Sequence, residues 1–191
     1  MKVVNISAFS EDPVERILSN LTRTPFVFDG QPIASIEGFH QGIKYMQESR
    51  RKEIFGMYGP QAKRAGREAN RCGTGYVWWG APARPITWRS GEYYDLYFDA
   101  LSAKFIQNDE ARVALASTDD CRFSHVIRHG RSWSADEFEA THFCRALYRI
   151  RDFLTGRRFS VDMDDFGVTT GRLGDTSVSC DTNSVGNTNC N

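Results

Sequence analysis

Three polar side chains in one short segment, Glu37, Gln41 and Lys44, recur at spacings of four and three. On a helix that spacing sets them along one stripe. Glu37 falls in the first turn, where the helix dipole favours negative charge. Its commonest use there is simply to start a helix well. Its chemical use is beside a sugar carbon that develops positive charge, where a carboxylate stabilises the charge and orients the attacking water. Lys44 is either a surface lysine, the commoner fate, or the cation that neutralises a phosphate or polarises a carbonyl. Asn20, in the loop ahead of this segment, either caps local backbone or binds a ribose hydroxyl.

Two further groups carry chemical potential. Between Arg50 and Arg71 seven bases face only two acids, Glu53 and Glu68. Such a block is usually a solvated face and otherwise the wall of an anion site. Within it Lys63 and Arg67 share one helix face and are equally suited to solvent or to phosphate. The run from Cys72 to Arg84 holds Tyr76, Trp78 and Trp79, which either plug the core or stack on a base, a contact worth about 1–3 kcal/mol. The histidines, His40, His125, His129 and His142, have no metal-ligand spacing, and no metal or cofactor is expected. Phosphate-cradling and nucleophile-elbow motifs are absent.

A chain of 191 residues with 13% aromatics can bury one real core. Its formal net charge of zero argues against a surface that coats nucleic acid broadly. Five cysteines without a Cys-x-x-Cys pair fit neither a disulfide framework nor a zinc ribbon. The start, MKVVNISAF, lacks the apolar run of a signal peptide, and no stretch approaches the ~20 apolar residues of a spanning helix. The expected setting is soluble and cytoplasmic, with no membrane partner. Composition is silent on oligomeric state.

The elements that must position these residues are legible in part. Lys2 to Phe9 reads as a strand, and Asp12-Pro13 opens a short helix to Leu18. Phe26-Val27-Phe28, Asp29-Gly30 and Gln31-Pro32-Ile33 form a two-residue hairpin. Ser35 caps the next helix, whose stripe Ile36, Phe39, Ile43 and Met46 faces the core. Gly38 and Gly42 invite a close neighbour, another helix or a ligand. Gly59-Pro60 starts a helix to about Asn70, after which Cys72 to Arg84 reads as loop. Trp88 to Phe105 reads as one helix, with Tyr94, Tyr97, Leu101 and Phe105 on a face, and Asn108 or Asp109 opens another to about Ala116. Phe123 to Ile127 reads as a strand and Arg128 to Ser132 as a polar loop. A capping box at Ser134 and Glu137 opens a last helix to about Leu154, with Phe138, Phe143, Leu147 and Ile150 inward. From Gly156 to Asn191 the polar composition predicts disorder or a loosely docked tail.

Taken in order, these residues resemble the NADAR (YbiA-like) superfamily. Leu18-Ser19-Asn20, Phe28-Asp29-Gly30, and Ser35-Ile36-Glu37 with Gln41 and Lys44 are similar to its opening signature. Gln61-Ala62-Lys63 with Gly66-Arg67 resembles its A-K-x-x-G-R helix. Trp88 followed by Ala103-Lys104-Phe105 and Gln107-Asn108 resembles its W…A-K-F-x-Q-N segment, and Ala114-Leu115 with Ser117-Thr118 resembles the end of the helix after it. The match runs from about Val4 to about Leu154. It departs where the family carries an acid on the next strand and then an Asp and a Trp-Gly pair. This chain has Phe123-Ser124-His125-Val126 there, with Trp133 standing in for the family Trp.

The resemblance implies an α+β, mostly helical fold: a single compact YbiA-like domain over residues 1–155 with a few short strands, then a polar tail over 156–191. It implies metal-independent hydrolysis of an N-glycosidic bond to ribose. The substrate would be an ADP-ribosylated base, in nucleic acid or as a nucleotide, or a phosphoribosyl intermediate. The catalytic residues would be Glu37 and Lys44. The substrate-binding residues would be Ser19, Asn20, Gln41, Lys63, Arg67, Trp88, Lys104 and Trp133. The alternative is a module that binds ADP-ribose or a related nucleotide without cleaving it.

Overall fold

The computed structural model describes residues 2–72, 75–119, 121–125, 127–129, 132–134, 137–157, 168–169, 180–182 and 188–190. By internal contacts the chain divides into residues 1–147 and 148–191. The architecture is helical with short strand pairs, as expected. No helix among the described residues is long and apolar enough to cross a membrane.

Strand β1 (Val3–Asn5) pairs in parallel with β6 (Arg122–Ser124), tying the start of the first unit to the segment after the helix Asp109–Ala116. Helix α1 (Pro13–Leu18) starts at Asp12, whose side chain accepts from the Val14 amide. The hairpin of β2 (Phe26–Phe28) and β3 (Gln31–Ile33) is in the expected register. Its turn residues Asp29 and Gly30 take φ of 48° and 72°, the left-handed pair that a type I′ turn demands.

Helix α2 (Ile36–Gly42) is capped by Ser35, whose Oγ accepts from the Gly38 amide at 2.9 Å. It is shorter than its hydrophobic stripe predicts. Ile36, Phe39 and Ile43 are fully buried, but the helix ends at Gly42 and Met46 is exposed. A separate helix, α3 (Glu48–Phe55), then turns back against α2. Gly38 and Gly42 serve this contact. A Cβ on Gly38 would lie 2.5 Å from the Met57 carbonyl, and one on Gly42 would lie 2.5 Å from the Phe55 ring.

Helix α4 (Gly59–Cys72) also packs on α2. The Cys72–Arg84 segment is not a plain loop: it contains the hairpin of β4 (Tyr76–Trp79) and β5 (Arg84–Thr87). Trp79 plugs the core, stacked on Phe28 at 5.2 Å and edge-on to Phe39 at 5.4 Å. Helix α5 (Gly91–Gln107) begins after Trp88, because Ser90 caps it by accepting from the Tyr93 amide. Its inner face is Ala100, Leu101, Lys104 and Phe105, and α6 (Asp109–Ala116) follows Asn108 directly.

The polar segment after β6 is a hairpin, β7 (Ile127–His129) with β8 (Ser132–Ser134), where a loop is expected. Helix α7 (Glu137–Thr155) runs across the division between the two units. Phe143 and Leu147 are buried as expected; residues 135–136 and the Phe138 side chain lie outside the described residues. In the second unit β9 (Val168–Thr169), β10 (Cys180–Thr182) and β11 (Thr188–Cys190) form an antiparallel sheet in the order β11-β10-β9. These strands are structure that the polar composition of the tail does not announce. The rest of that segment lies outside the described residues.

Ser35 is fully buried and also donates to the Met57 carbonyl at 3.1 Å, so it ties the start of α2 to the end of α3. Ser35→Ala is expected to lower unfolding stability by about 1–2 kcal/mol, measured by urea denaturation. No change would mean that the cap carries no weight.

Candidate functional site

Gln41 organises the polar stripe of α2. Its Nε2 donates to Glu37 Oε1 at 2.9 Å, and its Oε1 accepts from Lys44 Nζ at 2.8 Å. Only one orientation of the amide serves both neighbours, with NH₂ toward the carboxylate and C=O toward the ammonium. The result is an ordered line of acid, amide and cation. Gln41 is 7% exposed and is seated by a missing side chain on α4: a Cβ on Gly66 would lie 1.6 Å from Gln41 Oε1. Lys44 reaches this line from the turn after the helix. That turn is held where the Trp78 amide donates to the Ile43 carbonyl at 2.6 Å.

An aromatic wall stands beside the line. Lys44 Nζ lies 5.6 Å from the Trp88 ring centroid, within cation–π range. His40 sits edge-on to Trp88 at 5.6 Å and to Tyr97 at 6.2 Å. Tyr93 Oη approaches His40 Nδ1 at 3.2 Å. Burial, and then the charge of Lys44, push the His40 imidazole down to about 3, so it is neutral at ordinary pH. His40 is singled out in the sequence only for lacking metal-ligand spacing. The signal for its real place is position, three residues after Glu37 and four before Lys44.

Asn20 joins the site through backbone and side chain. Its carbonyl accepts from the Glu37 amide at 2.9 Å. Its Nδ2 donates to Tyr97 Oη at 2.7 Å, while its Oδ1 is buried without a hydrogen-bond partner. Ser19, 2% exposed, shapes the same turn, accepting from the Leu21 amide at 3.3 Å.

The other expected site residues are placed differently. Lys63 and Arg67 are exposed on α4, each one residue after a buried position, Ala62 and Gly66, at the seam with α2. Lys104 does not face the Glu37 line. It is fully buried, and its Nζ donates to the carbonyls of Ile17, Leu18 and Ser19 at 3.0, 3.3 and 3.1 Å. All three of its N–H bonds are thereby committed to backbone, which corrects its expected role as a substrate ligand. Burial pushes its ammonium down to about 7, against the carbonyls, which favour the charge. Trp133 lies on β8 opposite Arg128; its side chain is outside the described residues.

Three members of the basic block are taken up locally, while Lys63, Arg64 and Arg67 are exposed. Arg50 bridges Glu53 at 2.6 Å, and Lys52 bridges Glu48 at 2.6 Å. Arg51 is buried, donating to the carbonyls of Met46 at 2.8 Å and Gly80 at 3.1 Å. A cavity of about 230 Å³ opens between Asp29, Glu48, Arg51 and Trp79. Glu37, Gln41, Lys44 and Trp88 do not line it; its charged lining is Asp29, Glu48, Arg51 and Lys52.

This arrangement of short hairpins around α2 and α5 is a YbiA-like fold. The NMR structure of the Escherichia coli protein YbiA matches it with a TM-score of 0.57 and 22% identity, over 80% of this chain and 84% of that one. The family model described as bacteriophage protein GP30.3 matches residues 14–152. A phage T4 protein, described as an uncharacterized 17.1 kDa protein in the Gp30–rIII intergenic region, is 33% identical over 140 residues, 72% of this chain and 90% of the relative. The chain belongs to the bacteriophage GP30.3 family.

Two outcomes follow from this geometry. Gly66→Ala gains about 1 kcal/mol of helix propensity but drives Gln41 out of its seat, a clash worth about 1–3 kcal/mol. The variant is expected to melt near or somewhat below the parent while the Glu37–Gln41–Lys44 line is broken, seen as altered Gln41 side-chain NMR resonances. His40 is held at about 3 when folded and titrates near 6.5 when unfolded. The unfolded state therefore binds the extra proton first as pH falls, so this group withdraws stability from 6.5 downward and no further below about 3. Its ring resonances should not titrate between about pH 5 and 8; a midpoint in that window would contradict the packing described.

Proposed function

We propose that this protein is an N-glycosidase. It hydrolyses the bond between ribose C1′ and a ring or amine nitrogen, in an ADP-ribosylated base or a related phosphoribosyl compound, in the cytoplasm. The observation that carries this reading is the Glu37–Gln41–Lys44 line, which holds an acid and a cation in fixed order on one face. Gln41 occupies Oε1 of Glu37, and the second oxygen is left for the reacting sugar. As the C1′–N bond lengthens, positive charge grows on the sugar and the carboxylate stabilises it. Water then adds its hydroxyl to C1′. Its proton passes through Glu37 and ends on the departing nitrogen, which keeps the electron pair of the broken bond. Lys44 eases that departure by polarising a carbonyl of the leaving base.

Other residues fit binding roles. The unpartnered Oδ1 of Asn20 matches a ribose hydroxyl donor, since buried acceptors are seldom left unpaired. Half-buried Trp88 beside Lys44 offers a flat surface to the base. Lys63 and Arg67, exposed next to the Gln41 seam, suit the phosphates, whether the substrate is a nucleotide or ADP-ribosylated nucleic acid.

A second reading, binding without cleavage, has one observation in its favour. Where the resemblance expects an acid, this chain reads Phe123-Ser124-His125-Val126, and the His125 Nδ1 lies 3.0 Å from the Ile6 carbonyl with its ring 5.3 Å from Phe143. That histidine is committed to packing. Calorimetry with ADP-ribose beside a hydrolysis assay separates the readings, because tight binding with no product favours the module.

Glu37→Gln keeps the acceptor for Gln41 and removes the charge. It is expected to slow hydrolysis of ADP-ribosylated guanine by about 100-fold or more, followed as released ADP-ribose, with the melting temperature and ADP-ribose binding retained. Equal turnover in parent and variant would remove Glu37 from the mechanism.

A further inference from the structure

Helix α1 ends at Leu18, and the carbonyls at its end need donors from outside the helix. Lys104 supplies the donors, on the carbonyls of residues 17, 18 and 19. An ammonium has three N–H bonds, and here three carbonyls receive them. The cation also lies at the negative end of the α1 dipole.

The next residue is Asn20, the one whose carbonyl receives the Glu37 amide at 2.9 Å and whose side chain meets Tyr97 at 2.7 Å. Tyr97 precedes Lys104 by seven residues on α5, two helical turns along the same face. One face of α5 therefore grips the 17–20 turn twice, once through backbone carbonyls and once through the Asn20 amide. The turn in turn grips the first turn of α2, where Glu37 stands.

We propose that Lys104 is a positioning residue of the Glu37 site, acting through the turn of residues 17–20 rather than by touching substrate. This rests on the reading of Glu37 as the reacting carboxylate, but its structural half does not need catalysis to be tested.

The experiment compares amide hydrogen exchange of Glu37 with that of Leu115, in the core face of α6, for the parent and for Lys104→Met. The variant should speed exchange at Glu37 at least tenfold more than at Leu115. Equal acceleration at both would mean that Lys104 only stabilises the fold, which overturns the proposal. Lys104→Gln keeps two amide donors and serves if the Met variant does not fold. It should give the same selective change to a smaller degree, and unaltered Glu37 exchange in it also overturns the proposal.

In the hydrolysis assay these variants should lose kcat at least tenfold with KM changed less than threefold. A loss confined to KM would point instead to direct substrate contact. A parent protein with no hydrolysis at all would refute the glycosidase reading, while the exchange result would still decide the role of Lys104.

Discussion

Helix α2 has seven residues, far too few to persist by themselves in water, where helices shorter than about 12–15 residues are marginal. Everything at the site hangs on the contacts that hold it. On one side the backbone at the end of α3 comes against Gly38, and the Phe55 ring comes against Gly42. On another, α4 presents Gly66 to Gln41. On a third, α5 presents Tyr93 to His40. Three glycines, two on α2 and one on its neighbour, make those approaches possible. Each is therefore a packing requirement, not a weakness in a helix.

The same contacts confine buried polar groups, and each group ties two elements together. Ser35 links the start of α2 to Met57. Arg51 reaches from α3 to the carbonyls of Met46 and Gly80. Lys104 reaches from α5 to the end of α1. A polar group left unpaired in the interior costs about 1–3 kcal/mol, so such links tolerate few alternative arrangements. They explain why a chain whose strand pairs are so short can still hold an acid, an amide and a cation in fixed order. The aromatic cluster of Phe28, Phe39, Phe55 and Trp79 supplies the apolar counterpart, joining β2, α2, α3 and β4.

How far the sequence is legible depends on the range over which each feature is set. The Asp29-Gly30 turn, the Asp12 and Ser35 caps and the division at Asn108 are local, and the structure has them where the residues indicate. Trp88 shares the helical period of α5, yet Ser90 caps the helix after it. The β4–β5 hairpin lacks a short Asn-Gly or Asp-Gly turn, and its Gly, Pro and Trp content resembles a loop. Met46 continues the periodicity of α2 on paper, but the chain leaves the helix at Gly42, and α3 covers the face that a longer helix would need.

The chemistry divides along the same line. Residue type and spacing on one short segment nominate Glu37, Gln41 and Lys44, because neighbours three and four apart meet on a helix or in the turn that follows it. Whether seven clustered bases are an anion wall or a set of pairs is not local. Arg50 and Lys52 find acids within a helical turn, while Arg51 finds carbonyls as far away as Gly80. Nothing near Lys104 in the sequence separates a substrate ligand from a buried clamp. Its partners lie 85 to 87 residues away, and only the crossing of α5 over the end of α1 brings them together.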